Sequence, residues 1–352
     1  MRHALSLVFA AALVACAPSD TTTQTEDDAL QPSTASGELN LYTSRHYDTD
    51  LALYDDFTEE TGIAINRIEA NANSLIERIV SEGEFSPADL LITVDAGVLW
   101  RADEAGILSS VESDTLNARV PANLRHPEGR WFGLSKRARV IIYNKADGRP
   151  DGLDSYEDLA DPAYQGELCM RSSGNIYNMS LLSSIIAHSD PEAAEDWAAG
   201  VVANFARRPQ SNDTGQIEAV ASGECGISVV NTYYLARHAR SDDPRMREIV
   251  DAVGIIFPNQ DDRGTHVNIS GGGVTTHAPN RDNAIAFLEY LTRESAQTYF
   301  ADGNNEYPVT DDVIGNAAVQ ALGDFKEDTL DVSTFGPNQT QAIQIFDRVG
   351  WQ

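Results

Sequence analysis

Basic side chains are scarce in this sequence: 25 Lys and Arg stand against 54 Asp and Glu, a formal charge of −29 over 352 residues. Phosphates would be repelled by that balance, which excludes nucleic acid as a partner and makes a cation the better cargo. Most of the acidity still reads as general solubility, because surface charge says little about a specific site. Long apolar runs are missing too. The stretch from Ala4 to Ala15 is too short to span a bilayer as a helix, and no second one follows. Catalytic signatures are also lacking. There is no HExxH, no GxSxG, no phosphate loop, and no pair of histidines with a carboxylate that would leave a metal open to substrate, so the sequence does not read as an enzyme.

What is present begins with a charge at Arg2 ahead of the apolar run, the pattern of a cleaved signal peptide over residues 1–15. The run closes Leu13-Val14-Ala15-Cys16, which resembles a bacterial lipobox and implies lipidation of Cys16. From there to residue 37 the chain is polar, acidic and rich in Ser, Thr and Pro, as expected of a tether between a lipid anchor and a folded domain. The remaining ~315 residues exceed one compact domain, so two lobes are expected. With Cys16 lipidated, Cys169 and Cys225 form an even pair in an oxidising compartment. Both end strand-like runs; a disulfide is the expectation, two free buried thiols the alternative.

Strand-like alternation over 38–44, 63–68 and 88–94 interleaves with helical spacing over 50–61, 74–82 and 97–105. A long strand is predicted over 135–144 and a short acidic helix and turn over 156–165. A second βα rhythm follows, with strands over 166–172 and 227–230 and helices over 178–188 and 193–205. The segments 254–258 and 265–274 lead to a helix over 281–292, and helices finish the chain. This alternation defines an α/β fold and predicts a mostly parallel sheet covered on both faces.

Open α/β sheets bind ligands beyond the carboxyl ends of their strands. That rule selects His46-Tyr47, Asp95, Tyr177 and Tyr233-Tyr234. Taken singly, each has an ordinary reading: Tyr47 packing over a helix start, His46 solvated, Tyr177 in a small-residue loop that could equally hold an oxyanion, the tyrosine pair as aromatic packing. Together they place four phenols and an imidazole at three strand ends. A free phenol titrates near ~10, so it serves as an anion at neutral pH only when a strong cation displaces its proton. Ferric iron is the biological cation best suited to that; calcium and magnesium prefer carboxylates. Four phenolates over-compensate three charges, and Arg45, Arg171 and Arg237 stand beside the candidates.

These segments resemble the ferric-iron-binding proteins of bacterial ABC importers, specifically the tyrosine-rich cyanobacterial Fut type of the periplasmic transferrin-like group. The likeness rests on Leu41-Tyr42-Thr43-Ser44-Arg45-His46-Tyr47, Asn175-Ile176-Tyr177-Asn178 and Val230-Asn231-Thr232-Tyr233-Tyr234, with support from residues 91–97 and 264–273, and runs from about residue 38 to the end. It implies a type II two-lobed periplasmic-binding-protein fold, each lobe a mixed sheet flanked by helices, with a cleft between lobes. The lobes would be 38–138 with 265–314, and 139–264 with 315–352. It further implies Fe(III) held by Tyr47, Tyr177, Tyr233 and Tyr234, with His46 a ligand in some members only. Arg45, Asp95, Arg171 and Arg237 would stand behind these ligands, and Gly271-Gly272-Gly273 would be a hinge strand needing close packing and unusual torsions. A monomeric, lipid-anchored periplasmic protein delivering iron to an ABC permease with a cytoplasmic ATPase is the resulting expectation. An organic cation or an oxyanion in the same fold is the alternative.

Overall fold

The computed structural model describes residues 37–352; the expected signal peptide, Cys16 and nearly all of the tether lie outside the described residues. β1 (Gly37–Thr43) buries Leu39, Leu41 and Tyr42, and α1 (Thr49–Thr61) buries Leu53, Tyr54 and Phe57. The helix stops at Gly62, whose φ of 74° returns its N–H to the Thr58 carbonyl, a left-handed cap that costs glycine little. β2 (Ile63–Glu69), α2 (Ala72–Glu82), β3 (Leu90–Val94) and α3 (Ala96–Glu104) continue the rhythm. Side chains set the helix starts: Asn71 accepts from Ser74 N–H for α2, and Asp95 from Gly97 N–H for α3. A short α4 (Asp114–Arg119) precedes the long β4 (Phe132–Asn144).

The second half runs β5 (Leu168–Cys169), α5 (Ile176–His188), α6 (Pro191–Ala203), α7 (Asp213–Ser222) and β6 (Ile227–Asn231). It continues with α8 (Thr232–Ala239), α9 (Pro244–Asp251) and β7 (Val253–Ile256). The chain returns through β8 (Val267–Val274), α10 (Arg281–Leu291), α11 (Glu294–Asn304) and β9 (Tyr307–Pro308), then closes with α12 (Ala317–Gln320) and α13 (Phe335–Val349).

The strand order is β2-β1-β3-β8-β4-β6-β5, with β7 and β9 also on β4. Parallel pairing is confined to β1 with β2, β1 with β3, and β5 with β6; every pair involving β4 or β8 is antiparallel. The sheet is therefore mixed, which corrects the mostly parallel pairing that alternation alone predicts. The cause is long-range: β8 comes back from the second half to lie between β3 and β4. β4 serves both halves, its residues 132–138 pairing with β8 and 139–144 with β6 and β7. One continuous strand thus carries the chain between the two sheets of a two-lobed α/β type II fold.

The glycine run 271–273 lies inside buried β8. A Cβ at Gly271 would come within 2.7 Å of the Phe132 carbonyl, and one at Gly273 would run into the Arg130 carbonyl, so close packing explains them. Unusual torsions do not, because none of the three has positive φ. Cys169 and Cys225 are joined by a disulfide that closes a separation of 56 residues around β5 and β6. Replacing both by alanine is expected to lower stability by about 2–5 kcal/mol, read as an earlier midpoint in denaturant; an unchanged midpoint would show that the bridge does not constrain the unfolded chain.

Candidate functional site

Four tyrosines come together from both sheets. Tyr47 sits in the turn after β1, where Asp50 N–H donates to its carbonyl at 3.0 Å to start α1. Tyr177 is the second residue of α5, and its N–H is taken by the Asn175 side chain at 3.1 Å, which caps the helix and fixes the ring at the strand end of the second sheet. Tyr233 and Tyr234 fill the first turn of α8, directly after β6, with rings stacked at 4.3 Å and 30°. The Tyr177 and Tyr233 hydroxyls are 3.4 Å apart. Tyr47, from the other sheet, is close enough to couple electrostatically to both.

All three of those phenols are pushed up from their ordinary range. Burial is the main cause at Tyr47, followed by the Glu306 carboxylate; at Tyr233 burial is followed by the neighbouring Tyr177, Tyr47 and Tyr234. At Tyr177 burial outweighs the opposing pull of Arg137. Metal-free at neutral pH, they are neutral hydroxyls.

Beneath the phenols lie four buried arginines. Arg45 bonds Asp50 at 2.8 Å, Ser270 at 2.7 Å and Glu306 at 3.1 Å, and its guanidinium stands 4.8 Å from the Tyr47 ring centre. Arg137 shares Ser270 at 3.1 Å and approaches Glu306 at 3.7 Å. On the other side, Arg139 meets Asn178 at 2.8 Å, Asn231 at 3.2 Å and Asp213 at 3.4 Å, while Arg171 reaches the other Asp213 oxygen at 3.3 Å. Arg171 and Arg137 lie 5.4 and 5.8 Å from the Tyr177 ring centre. Four guanidiniums face three carboxylates, Asp50, Asp213 and Glu306, which leaves an electropositive floor under the phenols. An anionic oxygen at Tyr177 is favoured by Arg137, whereas at Tyr47 the Glu306 carboxylate outweighs Arg45.

Not every expected residue joins the cluster. His46 is exposed, with Nδ1 3.1 Å from Glu69. Arg237 is also exposed and stacks over Tyr234 at 4.8 Å. Asp95 is fully buried, held by Ser180, Gly97 and Asn268, with no hydrogen bond to a tyrosine. Arg137, Arg139, Asp213 and Glu306 escape sequence reading. The available signal is in β4 itself, where Arg137 and Arg139 stand two residues apart on one face of the strand, directly ahead of its apolar run Val140-Ile141-Ile142. Among the described residues no group of three or more His, Cys, Asp or Glu side chains converges as a metal site, so a metal held here would be held by phenols. A cavity of about 480 Å³ near Asp154, Asn259 and Asp324 includes none of these tyrosines.

A two-sheet α/β fold with a polar cluster contributed by both sheets is the architecture of a solute-binding protein. Residues 85–322 match the family described as bacterial extracellular solute-binding protein, and the chain belongs to that family. The Synechocystis iron uptake protein A1 is 51% identical over 315 residues, covering 90% of this chain and 88% of that protein. A Trichodesmium protein (IdiA, FutA), solved in complex with iron and citrate ligands, superposes with a TM-score of 0.87 at 55% identity, covering 90% of this chain and 100% of the other. The ferric iron-binding protein A of Mannheimia haemolytica, solved in an open conformation, gives 0.84 at 36% identity, covering 90% and 99%.

Proposed function

We propose that this chain is an extracytoplasmic binding protein that captures Fe(III) with Tyr47, Tyr177, Tyr233 and Tyr234 and hands it to an ABC permease driven by a cytoplasmic ATPase. The observation that carries the reading is the meeting of four phenols from two sheets above a buried arginine floor. Carboxylate-seeking cations find no cluster here, whereas a small trivalent ion can displace phenolic protons and be bound by hard oxygen. The likeness to iron uptake and ferric-binding proteins points the same way.

In this reading the lobes are 38–138 with 265–314 and 139–264 with 315–352, and β4 is part of the hinge between them. Tyr177, Tyr233 and Tyr234 receive the metal on one lobe, and rotation brings Tyr47 to complete the shell. The closed form is what the permease recognises. A monomer tethered through lipid on Cys16 keeps the cargo near that permease, and the cysteine pair and exported location agree with each other.

Titrating the metal-free protein with ferric citrate tests this. One equivalent is expected to produce a red-orange phenolate-to-iron absorption band that persists against a weak chelator. A colourless protein that gives up its iron would transfer the site to another cargo.

A further inference from the structure

The two sheets also meet one helical turn beyond Tyr177. Ser180, fully buried on α5, donates to the Asp95 carboxylate, its hydroxyl lying 2.7 and 2.9 Å from the two oxygens. Asp95 ends β3 and caps α3, and the same carboxylate also takes Gly97 N–H at 2.8 Å and Asn268 Nδ2 at 2.9 Å. It is a non-glycine residue at φ 81°, a backbone conformation that persists only where its surroundings enforce it. Beside it, α13 lies against α3: Arg101 donates to Gln339 at 2.8 Å, and Gly336 is so close to Trp100 that an added Cβ would fall inside the indole. The rest of α13 packs with the second sheet's helices, Ala342, Ile345 and Phe346 sharing a core with Leu181, Leu182 and Trp197.

We infer that Asp95 and Ser180 form a latch that sets the balance between open and closed lobes, and that Ser180 is thereby a positioning residue for Tyr177. The inference rests on the closure mechanism proposed above. α5 carries a metal ligand and the latch hydroxyl on one face, three residues apart, so seating the hydroxyl on Asp95 also orients the phenol. Swinging α5 away would strip a buried carboxylate of one of its donors, and an underserved buried charge opposes that motion. The close approach of Gly336 to Trp100 lets α13 follow α5 down onto α3 without obstruction. Neither Ser180 nor Gly336 is placed among the metal's own ligands, so each can be changed with the phenols intact.

The test compares wild type, Ser180→Ala and Gly336→Ala by small-angle scattering without metal and by the rate at which a chelator bleaches the iron-loaded form. Ser180→Ala is expected to take one iron per chain with a shifted phenolate band, because Tyr177 is no longer oriented, to lose it about tenfold faster, and to be more expanded when metal-free. Gly336→Ala, which wedges α13 from α3 at a distance from the site, is expected to move both readouts in the same direction. Scattering and release rates equal to wild type in both variants would overturn the latch, as would faster release from Ser180→Ala without any expansion. If wild type takes up no iron, the cargo reading fails while the scattering of the metal-free proteins still decides the latch.

Discussion

Tyr233→Phe/Tyr234→Phe is expected to abolish the visible band and to weaken ferric binding by well over a hundredfold while leaving the fold in place. Loss of a group that only supports a metal's ligands typically costs ~10–100-fold, and here two of the four proposed ligands themselves are removed. The fold survives because phenylalanine preserves the ring stack at 4.3 Å, and the only hydrogen bond lost between the named phenols is the long one from Tyr177 to Tyr233 at 3.4 Å. Binding falls because two neutral rings would face the buried guanidiniums where two phenolates should neutralise an ion. Equilibrium competition against a chelator of known affinity, together with thermal melts of the metal-free proteins, separates the two effects. Retained colour at wild-type affinity would remove this pair from the site.

Lowering the pH is expected to strip the metal steeply, and the sign follows from the phenols. Burial first, then the Glu306 carboxylate at Tyr47 and the neighbouring phenols at Tyr233, push these two above the ordinary phenol range, and burial does the same at Tyr177 against the pull of Arg137. A raised value keeps the proton on in the metal-free state across the whole neutral window. Each phenolate that ligates iron therefore releases a proton, and affinity drops about tenfold per pH unit for every proton released. Four phenolates give on the order of four protons per iron and a loss approaching 10⁴-fold per unit. Proton release measured in weakly buffered solution during titration reads the number directly, after correction for the protons of ferric citrate itself. One proton or none would mean that phenolates do not carry the binding.

The raised phenols also affect the metal-free protein in alkali. Because the folded state prefers the protonated phenol, this contribution to stability is complete below about 10 and is lost as the pH rises above it.

The legible parts of the sequence were those coded locally. The segment from β1 to α3 shows its periodicities within a few residues each, and helix starts are marked by Asn71 and Asp95, so elements there fall close to where spacing puts them. That the tyrosines come together was legible because strand ends in α/β folds face the cleft, and a pair such as Tyr233-Tyr234 at one of them stands out. What escaped depends on residues far apart in the chain. Arg137 is buried only because Glu306 and Ser270 meet it, and Arg139 only because Asp213, Asn178 and Asn231 do. Nothing next to β4 in sequence announces those partners. Mixed pairing, which the family resemblance implied, is invisible to strand–helix alternation for the same reason, since β8 reaches β3 across most of the chain. His46 shows the limit of the strand-end rule: the rule selects it together with Tyr47, yet its ring meets Glu69 at the surface.

The most direct measurement is a crystal structure of the iron-loaded protein with anomalous data collected at the iron edge. A single peak is expected within bonding distance of the phenolic oxygens of Tyr47, Tyr177, Tyr233 and Tyr234, with Arg45, Arg137, Arg139 and Arg171 behind them. A peak elsewhere, or iron held by carboxylates with the four phenols left free, would contradict it.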